Sequence, residues 1–157
     1  MSKHTPRRCV FLDRDGVINQ KAPPHEYIRN WSEFRFLPNI SDWIRIFNAL
    51  DFLVIVITNQ RGVARGTMTV ESVDEIHRNM IAELATHGAR IDDVFVCPHD
   101  EDSCDCRKPK PGMVLEAQTK WNIDPGGSLL IGDSDDDEAL ASGCGLRFLR
   151  VRNGSLI

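Results

Sequence analysis

Short apolar runs recur along the chain at residues 9–13 (CVFLD), 52–58 (FLVIVIT), 93–97 (DVFVC), 128–133 (SLLIGD) and 146–151 (LRFLRV). Each is rich in Val, Ile, Leu or Phe and too short for a buried helix, which predicts strands covered on both faces. Between them, residues 39–50, 70–87, 112–122 and 136–143 carry apolar positions at helical spacing. In the second of these, Thr69 stands as an N-cap, Ile76, Met80, Ile81 and Leu84 form the apolar stripe, and Gly88 marks the end. Strand and helix in alternation predict an α/β fold: a doubly wound, mostly parallel five-stranded sheet with helices on both faces. There is no internal repeat, low-complexity tract or linker, so residues 1–157 read as one domain. Residues 19–38 form the longest stretch without periodicity, and a loop of that length in a compact domain tends to carry function.

Open parallel sheets bind ligands outside the carboxyl ends of their strands. Four of the apolar runs here end in polar groups: Asp13-Arg14-Asp15-Gly16, Thr58-Asn59-Gln60, Cys97-Pro98-His99 and Gly132-Asp133. Their common position predicts a single site. Asp13 and Asp15 sit on a turning chain and can divide two tasks. One carboxylate can attack phosphorus, while the other protonates the leaving oxygen and later deprotonates water. Asp133 adds the oxygen ligand that a Mg2+ site needs, Thr58 can donate to a phosphoryl oxygen, and Lys108 can neutralise the transferring group. A signalling receiver domain uses similar parts. However, it carries adjacent acids on its first strand and its phosphorylated Asp on a later one, whereas here a D-x-D-G unit ends the first.

Charge narrows the partners. A net charge of −4 disfavours nucleic acid as a partner but leaves room for a small anionic substrate. Arg14, Arg61, Arg65, Arg107, Lys108 and Lys110 all fall in or beside loops, which suggests a local positive pocket. No apolar run approaches the roughly 18 residues of a membrane span. The N-terminal sequence MSKHTPRRCVFLD lacks a secretory core, so the expectation is a cytoplasmic protein without membrane attachment.

In a reducing compartment, clustered Cys and His point to metal more than to disulfides. Cys97-x-His99, four residues, then Cys104-x-Cys106 supplies three thiolates and one imidazole, the ligand set of a closed zinc site. On spacing alone a disulfide remains the alternative. Cys9 and Cys144 stand apart and read as buried packing residues.

The segments FLDRDGVIN, VITNQRGVARG, CRKPKPGM and LIGDSDDDEA resemble, in order, the four motifs of the haloacid dehalogenase (HAD) superfamily of phosphatases. The resemblance runs from Cys9 to about Arg152. Within the superfamily, the Cys/His loop and RKPKPGM are similar to a small branch without a cap domain. That branch acts on heptose 1,7-bisphosphate and histidinol phosphate. The resemblance implies that Asp13 is the nucleophile and that Asp15 is the general acid and base, its main-chain carbonyl also reaching Mg2+. It further implies that Thr58 and Asn59 hold the phosphoryl group, Lys108 neutralises it, Arg107 contacts substrate and Asp133 binds Mg2+. Asp137 fits the G-D-x-x-x-D spacing, while Asp135 and Asp136 read as solvated acids at a helix start. Zinc at Cys97, His99, Cys104 and Cys106 is implied as structural.

TNQRGVARG and PKPGM resemble the heptose enzymes, whereas the short His99–Cys104 spacing resembles the histidinol-phosphate group. The expected substrate is therefore a small phosphorylated metabolite, heptose bisphosphate first and histidinol phosphate second, acted on by a monomer. The alternative of another class is a non-catalytic, zinc-stabilised phosphosugar-binding protein.

Overall fold

The structure is a computed structural model, in which residues 5–157 are described. Strands β1 (Cys9–Leu12), β2 (Leu53–Asn59), β3 (Asp93–Cys97), β4 (Leu129–Gly132), β5 (Arg147–Arg152) and β6 (Ser155–Leu156) form one sheet in the order β3-β2-β1-β4-β5-β6. Every neighbouring pair from β3 to β5 is parallel, and β6 pairs antiparallel with β5. Helices α1 (Ile40–Ala49), α2 (Val70–Thr86), α3 (Gly112–Trp121) and α4 (Asp135–Cys144) fill the crossovers. Their bounds lie within a residue of the apolar periodicity that predicts them.

Because side chains alternate along a strand, each central strand feeds two cores. Val10, Leu12, Val54 and Val56 pack with Ile40 and Ile44 of α1 and with Ile76, Met80 and Leu84 of α2. Cys9, Phe11, Leu53, Ile55 and Ile57 point the other way, onto Met113, Val114 and Ala117 of α3 and Leu140 and Ala141 of α4. Burial on both faces explains why β1 and β2 read as unbroken apolar runs rather than as alternating ones.

The sheet has six strands rather than the five expected. The sixth is a two-residue return across Asn153-Gly154, both with positive φ (50° and 81°). This is the dipeptide preferred in tight hairpins, because both residues tolerate the left-handed backbone.

From β1 the chain winds outward to β2 and β3, then crosses back to place β4 on the other flank of β1. That reversal opens a crevice at the carboxyl ends of β1 and β4. Leu12 is paired with Ile131, and the Asp13 amide donates to the Ile131 carbonyl at 3.1 Å, so Asp13 and Asp133 emerge side by side. The 19–38 segment carries an aromatic cluster in which Phe34 stacks on Trp31 at 5.0 Å and meets Phe36 edge-on at 5.0 Å. Phe34 and Ile28 are buried against the α1 and α2 core, which anchors the segment beside the crevice.

Candidate active site

Lys108 is the centre of the crevice. Its side chain is only 5% exposed, and its ammonium donates to Asp13 Oδ1 at 2.9 Å, Asp137 Oδ1 at 2.8 Å and the Ile57 carbonyl at 3.3 Å. Asp137 is fully buried at the third position of α4. Its Oδ2 accepts from the Ser134 hydroxyl at 2.8 Å and from the amides of Asp133 and Ser134, both at 3.3 Å. Ser134 returns the bond as N-cap, so the helix start and the ammonium are fixed by the same carboxylate.

Burial pushes Asp13 up to about 8, against the pull of the Lys108 charge, while the neighbouring Asp137 charge adds to the rise. Burial acts on Asp137 in the same sense, but Lys108 and the Ser134 contacts outweigh it and hold that carboxyl low. For Lys108 itself the two carboxylates overcome burial and keep the ammonium protonated.

Asp13, Asp133 and Asp137 each offer a carboxylate oxygen, and these oxygens lie within 4.8 Å of one another. Asp133 Oδ1 is buried without a hydrogen-bond partner among the described residues, and Oδ2 accepts from Lys21 Nζ at 2.6 Å. An all-oxygen donor set with an unpartnered buried carboxylate oxygen suits a hard divalent cation such as Mg2+. Gly16 makes the approach possible. It has φ +90°, and a Cβ there would stand 2.2 Å from Asp133 Oδ2.

Asp15 turns away from this cluster, so its carboxylate is not among the converging oxygens, whereas that of Asp137 is. Asp15 Oδ1 accepts from Asn19 Nδ2 at 2.8 Å and from Arg14 Nη2 at 3.0 Å and Nε at 3.3 Å. Oδ2 accepts from Gln60 Nε2 at 3.0 Å. Burial would raise this carboxyl, but the Arg14 charge and these donors more than offset it and hold it below the ordinary carboxylate range.

Arg14 is not part of a positive substrate pocket as expected. It is wholly buried and needs the Asp15 carboxylate as its counter-charge. Its Nη1 donates to His77 Nε2 of α2 at 3.2 Å.

Thr58 is in place at the end of β2, 1% exposed, with its hydroxyl accepting from Gln60 Nε2 at 2.8 Å. Gln60 therefore ties Thr58 to Asp15. It closes the polar strand end Thr58-Asn59-Gln60 that marks the site in the sequence, although no role attaches to it there. Asn59 serves the protein's own main chain: its Oδ1 accepts from the Lys108 amide at 3.0 Å and its Nδ2 donates to the Lys108 carbonyl at 3.4 Å. Arg107 is half-buried, and its buried Nη1 has no partner among the described residues, which leaves a donor for an anion.

The second cluster stands beside the first. Cys97 Sγ lies 2.9 Å from Cys106 Sγ, 3.5 Å from Cys104 Sγ and 3.6 Å from His99 Nδ1, and His99 Nδ1 lies 3.2 Å from Cys106 Sγ. These separations approach those of a tetrahedron with metal bonds of about 2.0–2.3 Å, and the set fits zinc. All five cysteines are unpaired thiols, so the cluster is no disulfide knot. Cys9 is buried as expected, while Cys144 is only partly covered.

The loop is tied down on both sides. Arg61 meets Glu101 at 3.0 Å, Arg65 meets Asp100 at 3.2 Å, and Lys110 Nζ donates to the Cys104 carbonyl at 2.8 Å. The basic residues after β2 thus hold the Cys/His loop rather than line a pocket. A cleft of about 660 Å³ adjoins the crevice, lined by Lys21, His25, Tyr27, Arg29, Arg35 and others of the 19–38 segment.

The sequence model of the HAD-hydrolase-like family matches residues 105–156. The D-glycero-beta-D-manno-heptose-1,7-bisphosphate 7-phosphatase of Rhodopseudomonas palustris is 43% identical over 93% of this chain and 84% of its own length. The corresponding alpha-anomer 7-phosphatase of Mycobacterium bovis is 42% identical over 85% of this chain and 70% of its own. Among solved structures, the D,D-heptose 1,7-bisphosphate phosphatase from B. bronchiseptica, complexed with magnesium and phosphate, superposes with a TM-score of 0.86. It is 35% identical, over 94% of this chain and 83% of that one. On these likenesses, the chain belongs to the HAD-like phosphatases, in the group that contains the heptose-1,7-bisphosphate 7-phosphatases.

Proposed function

We propose that this chain is a Mg2+-dependent phosphatase that removes the 7-phosphate of a heptose 1,7-bisphosphate through an aspartyl-phosphate on Asp13. It would act as a cytoplasmic monomer; among the described residues no helix is long and apolar enough to cross a membrane. The observation that carries the reading is the convergence of Asp13, Asp133 and Asp137 around the buried ammonium of Lys108, in a chain whose relatives bear that activity in their names. Mg2+ held by Asp13 and Asp133, with the main-chain carbonyl of Asp15, would screen the carboxylates from the incoming phosphate dianion and polarise it.

Asp13 Oδ1 already accepts from Lys108 Nζ and from the Arg14 amide at 2.8 Å, which leaves Oδ2 to attack phosphorus once the charge of a bound divalent cation offsets the burial that raises this carboxyl. As that bond forms, the bond from phosphorus to the sugar oxygen breaks, and Asp15 protonates the departing oxygen. For this step Asp15 must carry a proton and Gln60 must release its Oδ2. Water then attacks the phosphorus of the acyl phosphate and gives its proton to Asp15, which restores the Asp13 carboxylate and frees inorganic phosphate. Lys108 neutralises the transferring group, and Thr58, the turn after it and Arg107 orient its oxygens.

Phosphate release from both anomers of heptose 1,7-bisphosphate, from histidinol phosphate and from a sugar-monophosphate panel tests the reading. The expected result is a marked preference for a heptose bisphosphate, abolished by Asp13→Asn. Comparable low rates on all substrates would sink the heptose assignment. A folded, Mg2+-supplied protein that hydrolyses nothing would favour a binding role.

A further inference from the structure

Two lysines meet the carboxylates of this site, and they are held in opposite ways. Lys108 is locked: nearly unexposed, with three acceptors around its ammonium. Lys21 is not. Its side chain is 54% exposed, and its ammonium rests on one oxygen of one carboxylate, Asp133 Oδ2, at 2.6 Å. Lys21 is also one of the residues lining the 660 Å³ cleft, and its flexible, unbranched four-carbon stem gives the ammonium other positions to take up.

Asp133 is also the residue whose second oxygen is buried and unpartnered. One carboxylate thus faces a half-exposed monovalent cation of the protein on one side and the expected divalent site on the other. With Lys21 in place, three clustered carboxylates are opposed by two ammonium groups; without it, they are opposed by one. A divalent ion arriving at Asp133 must either displace the ammonium or bear its repulsion at contact range.

We infer that Lys21 is a built-in competitor of the divalent cation at Asp133, set to yield its carboxylate when the metal binds. A half-exposed ion pair is weak enough to be displaced, so the competition lowers metal affinity without abolishing it. The stem, once displaced, lies along the cleft beside the crevice and carries its positive charge there. The inference rests on the reading of Asp133 as a Mg2+ ligand.

Isothermal titration of the purified full chain with Mg2+ alone, in the absence of any phosphate ester, tests it independently of turnover. Lys21→Met keeps the apolar stem and removes the charge. It is expected to bind Mg2+ about three- to tenfold more tightly than the wild type. Lys21→Arg, which keeps the charge, should stay within about twofold of the wild type. Uptake by Lys21→Met alone, with none by the wild type, would be the strongest form of support.

An unchanged affinity in Lys21→Met would overturn the inference. So would a weaker one, which would make Lys21 a fixed partner that orients Asp133 for the metal. If neither protein takes up Mg2+, the metal-site reading falls with it. Tighter binding in Lys21→Met without heptose bisphosphate turnover would leave the inference standing and reject only the proposed substrate.

Discussion

Acidification from pH 7.5 to 5.0 should remove a component of this protein's stability that belongs to His77. The imidazole is 6% exposed in α2, and its Nε2 lies 3.2 Å from Arg14 Nη1. A guanidinium can only donate, so Nε2 must be the unprotonated nitrogen. Burial first, and then the Arg14 charge, push this histidine down to about 3, with Asp15 opposing weakly. In the unfolded chain it titrates near 6.5. The folded state therefore keeps His77 neutral where the unfolded state takes up a proton. The associated stability is fully present above pH 6.5 and is lost as pH falls toward 3.

By linkage the loss is about 2 kcal/mol between pH 7.5 and 5.0, with a slope of about 1.4 kcal/mol per unit below pH 6. His77→Gln keeps an acceptor for Arg14 but cannot titrate, so it should abolish that component. Urea unfolding of both proteins at pH 7.5 and 5.0 gives the difference of differences, in which contributions common to both proteins cancel. If the variant loses as much stability as the wild type on acidification, His77 is not the group responsible.

Two other substitutions address the metal sites. Cys106→Ser should remove bound zinc, lower the melting temperature and reduce phosphate release by about tenfold, while a Mg2+ titration remains measurable. The loss is expected in KM through a misplaced Arg107 rather than in kcat, because Asn59 holds Lys108 independently; wild-type turnover in zinc-free protein would contradict this. Gly16→Ala puts a side chain at φ +90° and against Asp133 Oδ2. It should cost about 1–3 kcal/mol in stability and about 100-fold in turnover, with weakened Mg2+ binding in the same titration. Unchanged Mg2+ affinity would show that Asp133 has room to move.

The parallel sheet and its four helices were legible because burial on both faces leaves an unmistakable apolar run. Of the polar residues ending those runs, Asp13 and Asp133 come together, whereas Asp15 turns away and Cys97 and His99 belong to a second cluster rather than to the single site expected. Reading failed where a residue's partner is distant in sequence. Arg14 looks like a loop cation until Asp15 and His77, the latter brought in by α2, are seen to enclose it. Asn59 looks like a phosphate ligand until its side chain is found spanning the main chain of Lys108. Lys21 carries no motif at all and matters only because the 19–38 segment folds back beside Asp133; Gln60 sits in a quoted motif, but its tie between Thr58 and Asp15 shows only in the fold. The sixth strand was readable in principle from Asn153-Gly154, but two residues are too few to show an apolar pattern.

The bracket that Asn59 places around Lys108 has a further consequence for how this loop can diversify. With its amide and carbonyl both gripped by the last residue of β2, Lys108 is in effect one more rung of the sheet, anchored upstream of whatever the intervening chain does. The Gly112 amide closes the loop from the other end, donating to the Asp105 carbonyl at 2.9 Å. The stretch from Asp100 to Ser103 lies outside both anchors. It can lengthen, shorten or change charge without moving the ammonium, which makes it the place where a homologue could acquire new surface contacts while its phosphate chemistry stays in register.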